Sequence, residues 1–153
     1  MKKMLIMLMM IIPLTSLAQN VNEDSKVAKS LRKSVRSYLK DLGCTYESIS
    51  EETMHFKYQG RYFLFVTDED DPYYFQFIIP MIYEVDGDRR LVLEAINTII
   101  SETKALKAHI SNDYVWLTIE MFIDTTPDIK NIFERCINIL NSGYNKFVIE
   151  MSK

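Results

Sequence analysis

Residues 114–123 alternate so strictly that only one local structure suits them. Val115, Leu117, Ile119, Met121 and Ile123 fall on one side of an extended chain, and Tyr114, Trp116, Thr118, Glu120 and Phe122 on the other. A period of two is that of a β-strand. The aliphatic side has to be covered by elements of helical period. The opposite side carries Glu120, whose carboxylate is costly to bury without a partner, so this side is expected to stay partly wet. Large aromatics anchor contacts more often than other residues do. Trp116 and Phe122 are therefore expected to contribute to a dimer or partner contact, with Tyr114 and Glu120 completing the candidate surface.

The rest of the chain supplies both the sheet and its cover. Residues 22–42 predict a helix. Val27, Leu31, Val35, Tyr38 and Leu42 recur on one face, Asn22 can cap it and Gly43 stops it. Met54, Phe56 and Tyr58 alternate with polar residues as in a half-buried strand, and Gln59-Gly60 turns the chain. Residues 62–66 are apolar throughout, which predicts a strand covered on both faces. Residues 73–79 form a further strand, with Pro80 marking a bulge or an end. Asp88 caps a second helix reaching about Lys104, with Val92, Ile96, Ile99 and Thr103 inward. Residues 107–111 and 114–123 form a hairpin around Asn112-Asp113. Thr126-Pro127-Asp128 opens a last helix, with the Thr126 hydroxyl as cap. Its apolar stripe from Ile129 to Met151 passes Gly143 without losing phase, at a local cost of ~1 kcal/mol. The reading is α+β: an antiparallel sheet of about five strands with three helices, in the order α-β-β-β-α-β-β-α. A short additional strand within 46–50 can pair at the edge.

The N-terminus carries an address rather than part of this fold. Lys2 and Lys3 precede an apolar run over 4–14, and Ser16 and Ala18 occupy small-residue positions. This is the pattern of a secretory signal peptide cut between Ala18 and Gln19. A spanning helix needs ~20 apolar residues, and the run is too short. Residues 1–18 are thus read as the signal, 19–24 as a flexible lead-in and 25–153 as one domain, exported to the periplasm or secreted. Without its first eighteen residues the chain has 16 Lys and Arg against 21 Asp and Glu, a net charge of −5. That balance speaks against nucleic acid and against an anionic membrane surface. An oxidising compartment invites a disulfide between Cys44 and Cys136. Cys136, however, belongs to a core stripe and Cys44 to a helix end, so both are expected to be free.

The run Leu93-Glu94-Ala95-Ile96-Asn97 and the run Ala108-His109-Ile110-Ser111-Asn112-Asp113-Tyr114-Val115-Trp116-Leu117, in this order of elements, resemble the YbjN-like domain family. That family is similar in fold to the type III secretion chaperones. The resemblance extends over about residues 22–151. It implies a non-enzymatic, often dimeric, protein-binding or regulatory domain, and it brings no catalytic residues. The chain departs from the chaperones in carrying an export signal.

Chemistry-bearing groups are sparse. His55 and His109 sit singly on polar strand phases without metal-ligand spacing. No GxSxG turn occurs, and no Cys has a His beside it in sequence. The acidic run 68–71 lacks the spaced ligands of a calcium loop and reads as a solvated connection. The four glycines are scattered, so no phosphate-cradling loop is formed. Ten aromatics fall within 56–83, either as core filling or as a contact groove. No enzyme activity, cofactor or metal is expected. The chain reads as a protein-binding module, homodimeric, with no nucleic-acid partner and no membrane association after signal cleavage. The alternative is a domain that holds a small apolar ligand or lipid on its aromatic sheet face. The exported chain should begin at Gln19. N-terminal sequencing that finds Met1, or a start beyond Asp24, would reject this.

Overall fold

Seven of the eight phenylalanines are fully buried, and their positions show how the chain is organised. Phe56, Phe63, Phe65, Phe75 and Phe77 come from three neighbouring strands. Phe133 and Phe147 come from the last helix. The computed structural model describes residues 15–123 and 128–153, with side chains from Lys26 onward. The described elements are α1 (Thr15–Asp41), β1 (Tyr46–Ser48), β2 (Thr53–Tyr58), β3 (Arg61–Thr67), β4 (Tyr74–Glu84), α2 (Arg89–Glu102), β5 (Lys107–Ser111), β6 (Tyr114–Phe122) and α3 (Ile129–Met151). The strands form one sheet in the order β1-β2-β3-β4-β6-β5, antiparallel at every junction. This is the α+β architecture expected, with the short edge strand β1 added.

The helices lie on one side of the sheet. Val115, Leu117 and Ile119 of β6 face them, in the phase the alternation predicts. Leu31, Val35 and Leu39 of α1, Val92, Ile96 and Ile99 of α2 and Phe133, Ile137 and Leu140 of α3 close the same core. Polar latches fix α3 in place. The Tyr58 hydroxyl donates to Glu134 Oε1 at 2.7 Å, and Arg61 Nη1 donates to Asn141 Oδ1 at 2.7 Å. The Arg61 guanidinium also lies 3.7 Å from the centre of the Tyr144 ring, a close cation–π contact.

Several expectations change. β3 is covered on one face only: Phe63 and Phe65 are buried, Leu64 and Val66 are half-buried, and Tyr62 is 60% exposed. The run is apolar throughout because the uncovered face is itself partly apolar, not because a second helix layer exists. α1 starts at Thr15, which places Asn22 inside the helix. The leader run 4–14 lies outside the described residues. α1 ends at Asp41, so Leu39 takes the core position and Leu42 is exposed. Gly43 adopts φ 69°, its N–H donates to the Lys40 carbonyl and that of Cys44 to the Leu39 carbonyl. This pair of bonds is the Schellman arrangement, which satisfies the last carbonyls of a helix. Thr126 and Pro127 lie outside the described residues, and the cap of α3 is Asp128, whose carboxylate accepts the Lys130 N–H at 3.1 Å. Strand β4 runs on past Pro80. Ile79 pairs with Leu117 and Tyr83 with Val115, so residues 80–82 lie opposite Trp116 alone. Pro80, which has no N–H to give the ladder, thus marks a bulge, and Met81 is at φ 50°. The Asn112-Asp113 turn has positive φ at both residues, as a two-residue hairpin requires.

Gly143 is more than a weak point in α3. A Cβ built there would overlap Cδ2 of Leu106, and Cδ1 of the same side chain would lie 3.1 Å away. Leu106 is buried. Ala at this position gains ~1 kcal/mol of helix propensity, but overpacking costs about 1–3 kcal/mol. Gly143→Ala should therefore lower the melting temperature by a few degrees, and the same change in a Leu106→Ala background should raise it. A higher melting temperature for the single variant would show that Leu106 moves aside freely.

Candidate interaction surface

The face of the sheet turned away from the helices carries one set of side chains by register, of which Ile78 and Thr118 are buried among their neighbours. Register places Leu64, Ile78 and Thr118 in one row across β3, β4 and β6, and Val66, Gln76 and Glu120 in the next. Tyr74 and Phe122 form a third. Trp116 pairs with His109 on β5. Sequence periodicity identified the β6 members. It missed Leu64, Val66, Tyr74 and Ile78, although the apolar run 62–66 was the signal that both faces of β3 would have apolar character.

The four predicted residues share this face but differ in environment. Phe122 is 73% exposed, the only phenylalanine outside the core. Its ring lies 5.2 Å from that of Tyr74. Trp116 is half-buried, and its Nε1–H donates to the Ser111 carbonyl at 3.3 Å, which ties the ring to the hairpin. Glu120 accepts an ion pair from Lys107, which supplies the partner its burial requires. Beneath them Thr118 is buried, and its hydroxyl has no hydrogen-bond partner. Tyr114 lies at the far end opposite Glu84, and the Glu84 carboxylate raises its pKa. Burial, with Glu120 alongside, pushes Tyr74 up to about 12. On the helix side, the hydrogen bond to Glu134 pushes Tyr58 up to about 12.

The other candidate groups do not converge. His55 and His109 lie on β2 and β5, four strand spacings or roughly 19 Å apart. His55 Nε2 is 3.3 Å from Glu47 Oε2, and its ring packs edge-on to Tyr62. Cys44 packs against the core on the helix side, away from His55. Both cysteines are free thiols; burial raises the pKa of Cys44 and pushes that of Cys136 up to about 11. In the 68–71 run, Asp68 and Asp71 accept backbone N–H bonds from Asp70 and Tyr73 and so hold the loop's own turns. The dense aromatics of 56–83 divide between roles: the phenylalanines fill the core, while Tyr62 and Tyr74 edge the open face.

Net charge also hid a feature. Residues 25–40 carry Lys26, Lys29, Arg32, Lys33, Arg36 and Lys40 and no acid, a charge of +6. Residues 41–153 carry ten Lys and Arg against nineteen Asp and Glu, a charge of −9. The cations occupy the solvent flank of α1, opposite its buried stripe. The signal was present as a local charge block, which a whole-chain sum averages away.

Comparison with protein-family models, with curated proteins and with solved structures gives no match for this chain.

The raised tyrosines set a pH dependence. A tyrosine ordinarily titrates near 10. Tyr58 and Tyr74 hold their protons to about 12 in the fold. Their contribution is fully present below pH ~10 and is lost as pH rises towards 12, because the unfolded chain ionises first. Absorbance titration should show at least two late-titrating tyrosines, with melting temperature falling across that window, and Tyr58→Phe should remove one of them. A single transition near pH 10 for all tyrosines would contradict this.

Proposed function

We propose that this chain is an exported, non-enzymatic protein-binding module that forms a homodimer and takes a partner protein on the open face of its sheet. The observation that carries the reading is Phe122. Every other phenylalanine is buried, and this one stands 73% exposed on the side of the sheet away from the described helices, its ring tilted against that of Tyr74 and on the same face as the half-buried Trp116. Contact surfaces combine such aromatic anchors with a polar rim, and Lys107, Glu120, Gln76 and His109 provide that rim here. The YbjN-like resemblance of residues 93–97 and 108–117 supports the same class of function, as does the order of elements. The leader pattern supports export.

The ligand alternative needs a cleft on this face. Five surface clefts of about 230 to 620 Å³ are described, and none of the five is lined by Trp116 or Phe122. The largest lies instead between the end of α2 and α3, among Glu102, Arg135, Asn138 and Lys146.

Phe122→Ala removes a mostly exposed ring and its contact with Tyr74, so it should cost no more than ~1.5 kcal/mol of stability. Trp116→Ala should weaken association by more than ~1 kcal/mol. A photo-crosslinking phenylalanine analogue at position 122, in protein exported by its own cells, should give one discrete protein adduct. Leu93, 45% exposed on α2, serves as the control position. No adduct at 122, or equal labelling at both positions, would reject the face. Native mass spectra showing a co-purified apolar molecule lost on Trp116→Ala would establish the ligand reading instead.

A further inference from the structure

The basic flank of α1 asks for an anionic occupant. From Lys26 to Lys40 it extends about 21 Å at the α-helical rise. Lys26, Lys29, Lys33 and Lys40 are exposed, and Arg32 and Arg36 are half-buried. Among the described residues, no ion pair involves these six side chains. Arg32 and Arg36 donate only to hydroxyls, those of Thr67 at 2.7 Å and Ser48 at 3.1 Å. Arg36 Nε is buried with no hydrogen-bond partner.

The surroundings of the stripe select the occupant. Across a cleft of about 280 Å³, Lys29 and Arg32 face Glu51, Asp68 and Glu69. A second cleft of about 340 Å³ sets Glu51 against Lys29, Arg32, Lys33 and Arg36. A continuous polyanion laid on the stripe, whether a nucleic acid or an anionic lipid surface, would meet those carboxylates and be repelled. Among the described residues, Ala28, Leu31, Val35 and Leu39 of α1 are buried in the core, so this part of the helix cannot turn that face to a bilayer. A surface that alternates in sign at the same spacing would not be repelled. This chain carries such a surface: a cationic stripe and an acidic β3–β4 loop side by side. A two-fold axis between them places each patch over its opposite in a second copy, which is the self-complementarity an isologous contact requires.

We propose that a second copy of this chain docks here. The Lys29, Arg32 and Lys33 side of α1 in each protomer would face the Asp68 and Glu69 loop of the other. The inference shares only the homodimer with the proposal above and leaves the open sheet face free for a different partner.

Complementary charge reversals test it. One variant carries Lys29→Glu with Lys33→Glu, the other Asp68→Lys with Glu69→Lys. Sedimentation at low ionic strength should show the wild type as a dimer, weakened at least about tenfold when salt is raised from ~0.05 to ~0.5 M. Each variant alone should dimerise at least about tenfold more weakly than the wild type, and their equimolar mixture should recover a heterodimer within about threefold of wild-type affinity. Of the pairings that involve a variant, the mixed pair alone restores opposite charges at both reciprocal contacts. A monomeric wild type, variants that dimerise normally, or a mixture that fails to recover would each overturn the proposal. So would a wild type that stays monomeric yet binds phosphatidylglycerol vesicles. Phe122 crosslinking is read separately, so failure of one surface does not imply failure of the other.

Discussion

Phe133 is the side chain on which the assembly of this fold converges. Its ring lies 5.6 Å from those of Phe56 and Phe77, 5.4 Å from Tyr58 and 5.2 Å from Tyr38. One residue of α3 thus touches α1, β2 and β4 together. Edge-to-face geometry at three of the four contacts is the arrangement that ring quadrupoles favour. Burial of several rings at one point supplies the non-directional part of the driving force, while the Tyr58–Glu134 and Arg61–Asn141 bonds give it direction. The three helices of the described residues all pack into this core, on one side of the sheet. Phe133 is buried on that side, and Phe122 is exposed on the other.

Most of the architecture was legible because period is a strong signal. The alternation at 114–123 identified the covered face of β6, and the stripe through Gly143 identified an unbroken α3. The errors arose where one pattern serves two environments. Residues 62–66 are apolar in both phases, which describes a strand between two layers equally well as a strand whose bare side is aromatic. Leu39 and Leu42 are three apart on α1, and only the Schellman end at Gly43 decides which of them reaches the core. The contact between Leu106 and Gly143 joins positions far apart in sequence, and no local pattern encodes it.

The candidate surfaces were legible to different degrees. Trp116, Glu120 and Phe122 were visible because they share one strand, and their neighbours on β3 and β4 became visible only with the register. The Lys107–Glu120 pair could not be read either, since it depends on the alignment of the hairpin. The basic flank of α1 was hidden by averaging: a chain with net charge −3 contains a helical segment at +6. Clustered charge of one sign steers approaching partners before any contact forms.

The rim of the sheet limits how such partners can attach. β1 contributes three residues at one border and β5 five at the other. Unpaired amide and carbonyl groups along a long border would invite strand addition and runaway stacking of chains. Here one border ends almost as soon as it begins, and the other carries Lys107 and an exposed His109. The backbone therefore offers little template for growth by further strands. Recognition is left to side chains, which can be tuned residue by residue without exposing the sheet to polymerisation.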